Sequence, residues 1–220
     1  MSLMNELPQQ SALAQAFKIE VSDSAGNPIT FGTLLPSDPS DKVRGFHKLG
    51  RSKAGVSCIL TVALGHFFCG SCRQYVEQLA SVPQESLERS KTRIIIIGCG
   101  HSDAISFYKE STKFPGNVYA DPTRKLYHAL GMDIENLSAT PKGKERRSYL
   151  KLGIFSNAVS SIFTGPLKSP SLIGKQGNIS QLGGEFIFGP GKECTFASRM
   201  QNTEDHVEVS ELMKHAGVDL

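Results

Sequence analysis

The sequence predicts an α/β domain, a central mixed sheet flanked by helices, with an N-terminal β-hairpin and a helical insertion. Two observations carry this. Residues 56–64 (VSCILTVAL) and 92–98 (TRIIIIG) are nearly continuous apolar, β-branched runs, the pattern of strands covered on both faces, and helical spacing follows each. Toward the C-terminus the order becomes strand, turn, strand and closing helix. A length of 220 residues suits one core. Residues 1–16 are read as a loose or weakly helical tail and 17–220 as the single domain, with the insertion at about 132–183.

Phe17, Ile19 and Val21 alternate with polar residues, residues 24–27 (SAGN) supply turn chemistry, and Ile29 and Phe31 begin a return strand. Residues 35–51 contain Pro36, Pro39, Gly45 and Gly50 and read as a loop. The first buried strand ends at Gly65-His66-Phe67-Phe68. From Ser71 the pattern is helical, with Tyr75, Val76, Leu79 and Ala80 on one face until Pro83, and residues 84–89 add a short helical piece. After the second buried strand, Ser102 is positioned to cap a helix over residues 103–111. Residues 118–120 form a third strand. Asp121-Pro122 reads as an acidic cap with proline at the first helical position, opening a helix that stops at Gly131. Within the insertion, Leu150, Ile154, Phe155, Val159, Ile162 and Phe163 predict an amphipathic helix over residues 145–163, and residues 165–184 an extended loop. Phe186 to Phe188, the turn Gly189-Pro190-Gly191 and residues 194–197 make a hairpin, and residues 208–216 a last helix. This order is the thioredoxin-type plan, with right-handed crossovers expected.

Composition narrows the function. Hydrophobic residues are 39% and charged residues 20%, as in ordinary globular chains. The longest apolar run is Ile94 to Ile97, far below the roughly 20 residues a membrane-spanning helix needs. The net charge of +3 and one short basic cluster, residues 142–147 (KGKERR), read as a solvated surface and predict no nucleic-acid partner. The N-terminus has no secretory pattern, and five cysteines cannot all pair within one chain. A reducing, cytoplasmic setting is the expectation.

Cys69-Gly70-Ser71-Cys72 is the sharpest motif. It follows a buried strand and opens a helix, so its two sulfurs share one face of the first turn. Unpaired N–H groups and partial positive charge at a helix N-terminus favour a thiolate. Cys69 is therefore assigned as nucleophile and Cys72 as the thiol that resolves a mixed disulfide. The rivals are inert cysteines and half of a zinc site. A structural zinc needs four ligands, and only His66, Cys99 and His101 stand as further candidates. His66 would support the thiolate as imidazolium or shuttle a proton, or else simply bond to backbone. Cys99, after a neighbouring strand, is a candidate sensor or alternative resolving thiol, or a packing residue. Cys58 reads as core, and Asp205-His206 as a pair or cap near the last helix. The insertion helix would cover the site, join two copies as a homodimer, bind an apolar substrate, or pack on the sheet.

The stretches HFFCGSCRQYVEQLA, IIIIGCG, YADPTRKLYHALGM, GGEFIFGPG and EDHVEVSELMKHAGV, in that order, resemble the AhpC/TSA-type antioxidant-like family, in its CxxC-bearing, peroxiredoxin-like branch. The resemblance runs from about residue 17 to 218. It implies a thioredoxin-like fold, Cys69 and Cys72 as the redox pair, and antioxidant or thiol-dependent reductase activity. The chain departs from the peroxidase pattern at His66 and Val62, three and seven positions before Cys69, and at residues 181–184 (QLGG), where an arginine is usual. Ser71 stands where thioredoxin has the proline of its motif. The expected function is a thiol-dependent oxidoreductase that reduces a peroxide, endoperoxide or disulfide. An external thiol such as thioredoxin or glutathione would reset it, with no metal or organic cofactor. A non-catalytic binding module and a substrate-specific reductase or isomerase of small-molecule metabolism are the alternatives.

Overall fold

In the computed structural model, which describes residues 4–36, 56–151 and 169–220, both apolar runs lie at the centre of a seven-stranded sheet. The strands are β1 (Glu20–Ser22), β2 (Pro28–Thr30), β3 (Cys58–Ala63), β4 (Thr92–Gly98), β5 (Asn117–Ala120), β6 (Gly184–Phe188) and β7 (Cys194–Arg199). Their order is β2-β1-β5-β4-β3-β6-β7. β3, β4 and β5 are parallel, while β6 runs antiparallel to β3 and β7 to β6. The hairpin β1–β2 joins β5 through the pair Ser22 and Ala120. This mixed sheet is the thioredoxin-type arrangement.

Helices cover both faces. They are α1 (Gln10–Ala16), α2 (Phe31–Leu34), α3 (Gly70–Ala80), α4 (Gln84–Arg89), α5 (Ala104–Thr112), α6 (Lys125–Ala129) and α7 (Val209–His215). Successive strand side chains point to opposite faces. Leu60, Val62, Ile94, Ile96 and Ile187 pack toward α3, α5 and α7, and Ile59, Ala63, Ile95, Ile97, Phe186 and Phe188 toward α1 and α6. Two covered faces explain why the central strands are apolar at nearly every position.

Several local expectations are corrected. The stretch read as a loose or weakly helical tail does form a helix, α1, but it belongs to the core, with Leu13 and Ala16 buried. Phe31 opens α2 rather than a strand. Ser102 does not cap α5. Asp103 is the N-cap, and its N–H is taken by His101 Nδ1 at 3.3 Å. α6 begins at Lys125, not at Pro122, because the buried Asp121 reaches forward to accept the Leu126 N–H at 2.8 Å. Gly131, with φ +77°, ends that helix as read, and the Met132 N–H returns to Tyr127 O at 2.9 Å. Residues 145–151 are irregular, with a turn at 148–149, and not helix. The Ser148 N–H goes to Glu208 Oε1 at 2.8 Å and the Lys151 N–H to Gln74 Oε1 at 2.8 Å, so side chains take the bonds a helix would have used. The rest of the expected insertion helix, and most of the 35–51 loop, lie outside the described residues. Among the described residues, no helix is long and apolar enough to cross a membrane.

Candidate active site

The site lies where β3 turns into α3, at the same edge as the ends of β4 and the start of β6. Two glycines let the backbones close here. A Cβ on Gly183 would stand 1.8 Å from Ala63 O, and one on Gly65 would stand 2.7 Å from Gln181 O. Only glycine permits this approach, which brings residues 181–183 against the end of β3 as one wall of a cavity of about 250 Å³. Cys69, Phe68, Leu182 and Met200 line it, and Leu137 and Ile179, 63% and 53% exposed, form an apolar rim.

Cys69 is the N-cap of α3, with φ −68° and ψ 116°, and its Sγ accepts the Cys72 N–H at 3.2 Å. Cys69 is half-buried and borders the cavity, whereas Cys72 is 1% exposed. Their environments split their acidities. The Cys72 thiol bonding to Cys69 is the largest influence holding Cys69 below the usual thiol range. The Cys72 and Ser71 N–H groups and the charge of His206 add to it, against an opposing cost of burial. Cys72 is pushed well above that range by giving its hydrogen bond to Cys69, by burial and by the Cys69 charge. A sulfur made more acidic beside one made less acidic is the asymmetry that a nucleophile and a resolving thiol require.

The other candidates fare differently. His66 borders the cavity, but its Nδ1 accepts the Phe68 N–H at 3.3 Å, and burial lowers its pKa to about 4. It is neutral near pH 7 and supplies no positive charge to Cys69, so the imidazolium reading is corrected. Ser71 is buried in the cavity wall and contributes its backbone N–H. Cys99 is packed rather than poised. Its Sγ donates to Gly65 O at 2.7 Å, burial pushes its pKa up to about 12, and Gly177 crowds it. The sensor reading is corrected on those grounds. Cys58 is half-buried at the start of β3, the end of the strand away from the thiol helix. Among the described residues no three His, Cys, Asp or Glu side chains converge as metal ligands.

Sequence reasoning missed the groups behind α3. The cluster read as solvated is partly tied down, with Arg146 bound to Glu204 at 2.7 Å and Arg147 to Asp205 at 3.1 Å. His206 neither caps nor joins the last helix. It is fully buried against Tyr75 and Glu185. An acid at the head of an otherwise apolar strand, Glu185 before Phe186-Ile187-Phe188, was the available signal.

Residues 78–202 match the AhpC/TSA antioxidant enzyme family. The matched stretch begins after Cys72. Peroxiredoxin-like 2C of Takifugu rubripes is 34% identical over 161 residues, covering 70% of this chain and 67% of that protein. Peroxiredoxin-like 2C of Mus musculus is 29% identical over 210 residues, covering 95% and 82%. The peroxidoxin BcpB of Mycobacterium tuberculosis has the same fold at a TM-score of 0.56 and 7% identity, covering 99% of this chain and 97% of that one.

Proposed function

The chain belongs to the AhpC/TSA antioxidant enzyme family, and from that premise we propose that it is a thiol-dependent reductase of organic peroxides, with Cys69 as nucleophile and Cys72 as resolving thiol. The supporting observation is the pairing itself: a depressed Cys69 at the cavity, held by the N–H and thiol of a buried Cys72.

The Cys69 thiolate attacks one peroxide oxygen. An S–O bond forms, the O–O bond breaks, and the departing alkoxide takes a proton from solvent. The Cys72 thiol then attacks the Cys69 sulfenic acid. The S–S bond forms and hydroxide leaves with the Cys72 proton as water, so the peroxide gains the two electrons the thiol pair loses. Two equivalents of an external thiol, from thioredoxin or glutathione, return the pair to its reduced form. This scheme uses no metal or organic cofactor and suits a reducing compartment such as the cytoplasm. The rim of Leu137 and Ile179 favours a peroxide with an apolar substituent over hydrogen peroxide.

The test is peroxide consumption coupled to thioredoxin and its reductase. Cys69→Ser should abolish turnover, and Cys72→Ser should form the first oxidised product without cycling. Undiminished turnover by Cys69→Ser would dismiss the proposal. A ligand bound equally well by wild type and both variants, without turnover, would identify a binding module.

A further inference from the structure

A buried acid and a buried histidine stand behind the thiol helix, outside the scheme above. Glu185 lies in β6, paired in register with Val62 of β3 and Ser198 of β7. Alternation places it on the face of Ile187, toward α3 and α7. His206 lies on the segment between β7 and α7. Both side chains are fully shielded, and His206 Nδ1 meets Glu185 Oε1 in a short contact. The imidazole lies flat on the Tyr75 ring, with centroids 4.2 Å apart and planes 2° apart. Tyr75 follows Cys72 by three residues, so this stack sits on the Cys72 face of α3. Glu185 Oε2, His206 Nε2 and Tyr75 Oη, all buried, have no hydrogen-bond partner among the described residues.

A carboxylate removed from water is costly unless a cation or a full set of donors meets it. An apolar residue at position 185, like the three that follow it, would carry no such cost. We propose that Glu185 and His206 hold one proton between them behind α3, and that His206 thereby presents positive charge that stabilises the Cys69 thiolate. His206 is then a positioning residue for the thiol pair, and Glu185 positions His206. The inference rests on Cys69 being the reactive thiol.

The groups around the ring agree with this. The charge of His206 is among the influences that lower Cys69. Tyr75 on α3 and Tyr149 on the 145–151 segment are pushed far above their usual range, chiefly by burial, so neither ionises in competition. Tyr149 Oη accepts the His206 N–H at 3.0 Å and holds the segment in place. On the same segment as His206, Asp205 is taken by Arg147, Glu204 by Arg146 and Glu208 by the Ser148 N–H. Glu185 is left as the acid in contact with the ring.

The test is the pH dependence of Cys69 alkylation by iodoacetamide in the reduced full-length protein, located by mass spectrometry. Both His206→Asn and Glu185→Gln should move the alkylation midpoint to higher pH and slow alkylation at neutral pH by roughly tenfold. A Glu185 that acted on Cys69 only by direct repulsion would give the opposite, faster alkylation in Glu185→Gln, and would overturn the proposal. So would unchanged midpoints in both variants. Should a variant fail to fold, nitrogen NMR of wild-type His206 decides: both ring nitrogens protonated at neutral pH supports the pair, and a neutral ring overturns it. Slow alkylation of wild-type Cys69 itself would instead reject the functional reading, so the two failures are distinguishable.

Discussion

Replacing Cys72 by alanine isolates what its thiol does for Cys69. The backbone N–H at 3.2 Å remains, and the hydrogen bond from the thiol, the largest influence lowering Cys69, is lost. A hydrogen bond to a charged acceptor contributes about 1.5–3 kcal/mol, and a thiol is a weak donor, so the lower end applies. At about 1.4 kcal/mol per tenfold, Cys72→Ala should leave roughly ten times less Cys69 thiolate at neutral pH. Cys72→Ser keeps a donor at the same position and should stay much closer to wild type. The assay is the rate of Cys69 alkylation across pH on reduced protein, with circular dichroism to confirm the fold, since Cys72 is 1% exposed and alanine leaves a small void. A Cys72→Ala midpoint equal to that of wild type would show that the thiol does not hold the thiolate, and the reasoning would fail.

Three further outcomes are expected. His66 is lowered from 6.5 to about 4 on folding, so its contribution to stability is full above pH 6.5 and lost as the pH falls toward 4, by up to about 3 kcal/mol; urea melts should show that loss, and His66→Gln should flatten it. Gly183→Ala forces a Cβ to within 1.8 Å of Ala63 O, a backbone atom that cannot swing aside, and should destabilise the protein by about 3 kcal/mol or more, where a change below about 0.5 kcal/mol would show the contact to be soft. Leu137→Asp places a charge on the apolar rim, which should raise KM for a bulky organic hydroperoxide several-fold and leave hydrogen peroxide little changed; equal effects on both would remove the rim from substrate selection.

The central strands and the thiol helix were legible because their signals are local. Thr92–Gly98 is covered on both faces and its four consecutive isoleucines, Ile94 to Ile97, read so directly, and Cys69 to Cys72 spans one helical turn. The irregular backbone from residue 145 was not, because two of its donors, the Ser148 and Lys151 N–H groups, are claimed by Glu208 and Gln74, far away in the chain. The same holds for the electrostatics. Arg146 and Arg147 look solvated until residues 204 and 205 are folded beneath them. His66 looks useful because it is near Cys69 in sequence, but burial lowers its pKa to about 4, while the buried His206, 137 positions away, stacks on Tyr75 of the thiol helix itself. Proximity along the chain does not show which imidazole packs behind the thiol helix, since α3 presents its Cys72 face to the segment after β7.

Oxidation of the fully reduced protein with one equivalent of an organic hydroperoxide, followed by thiol counting and peptide mapping, reaches the central claim most directly. Of the five cysteines, two should disappear together as a single Cys69–Cys72 disulfide. Five surviving thiols, or a disulfide that leaves out either residue, would contradict the account.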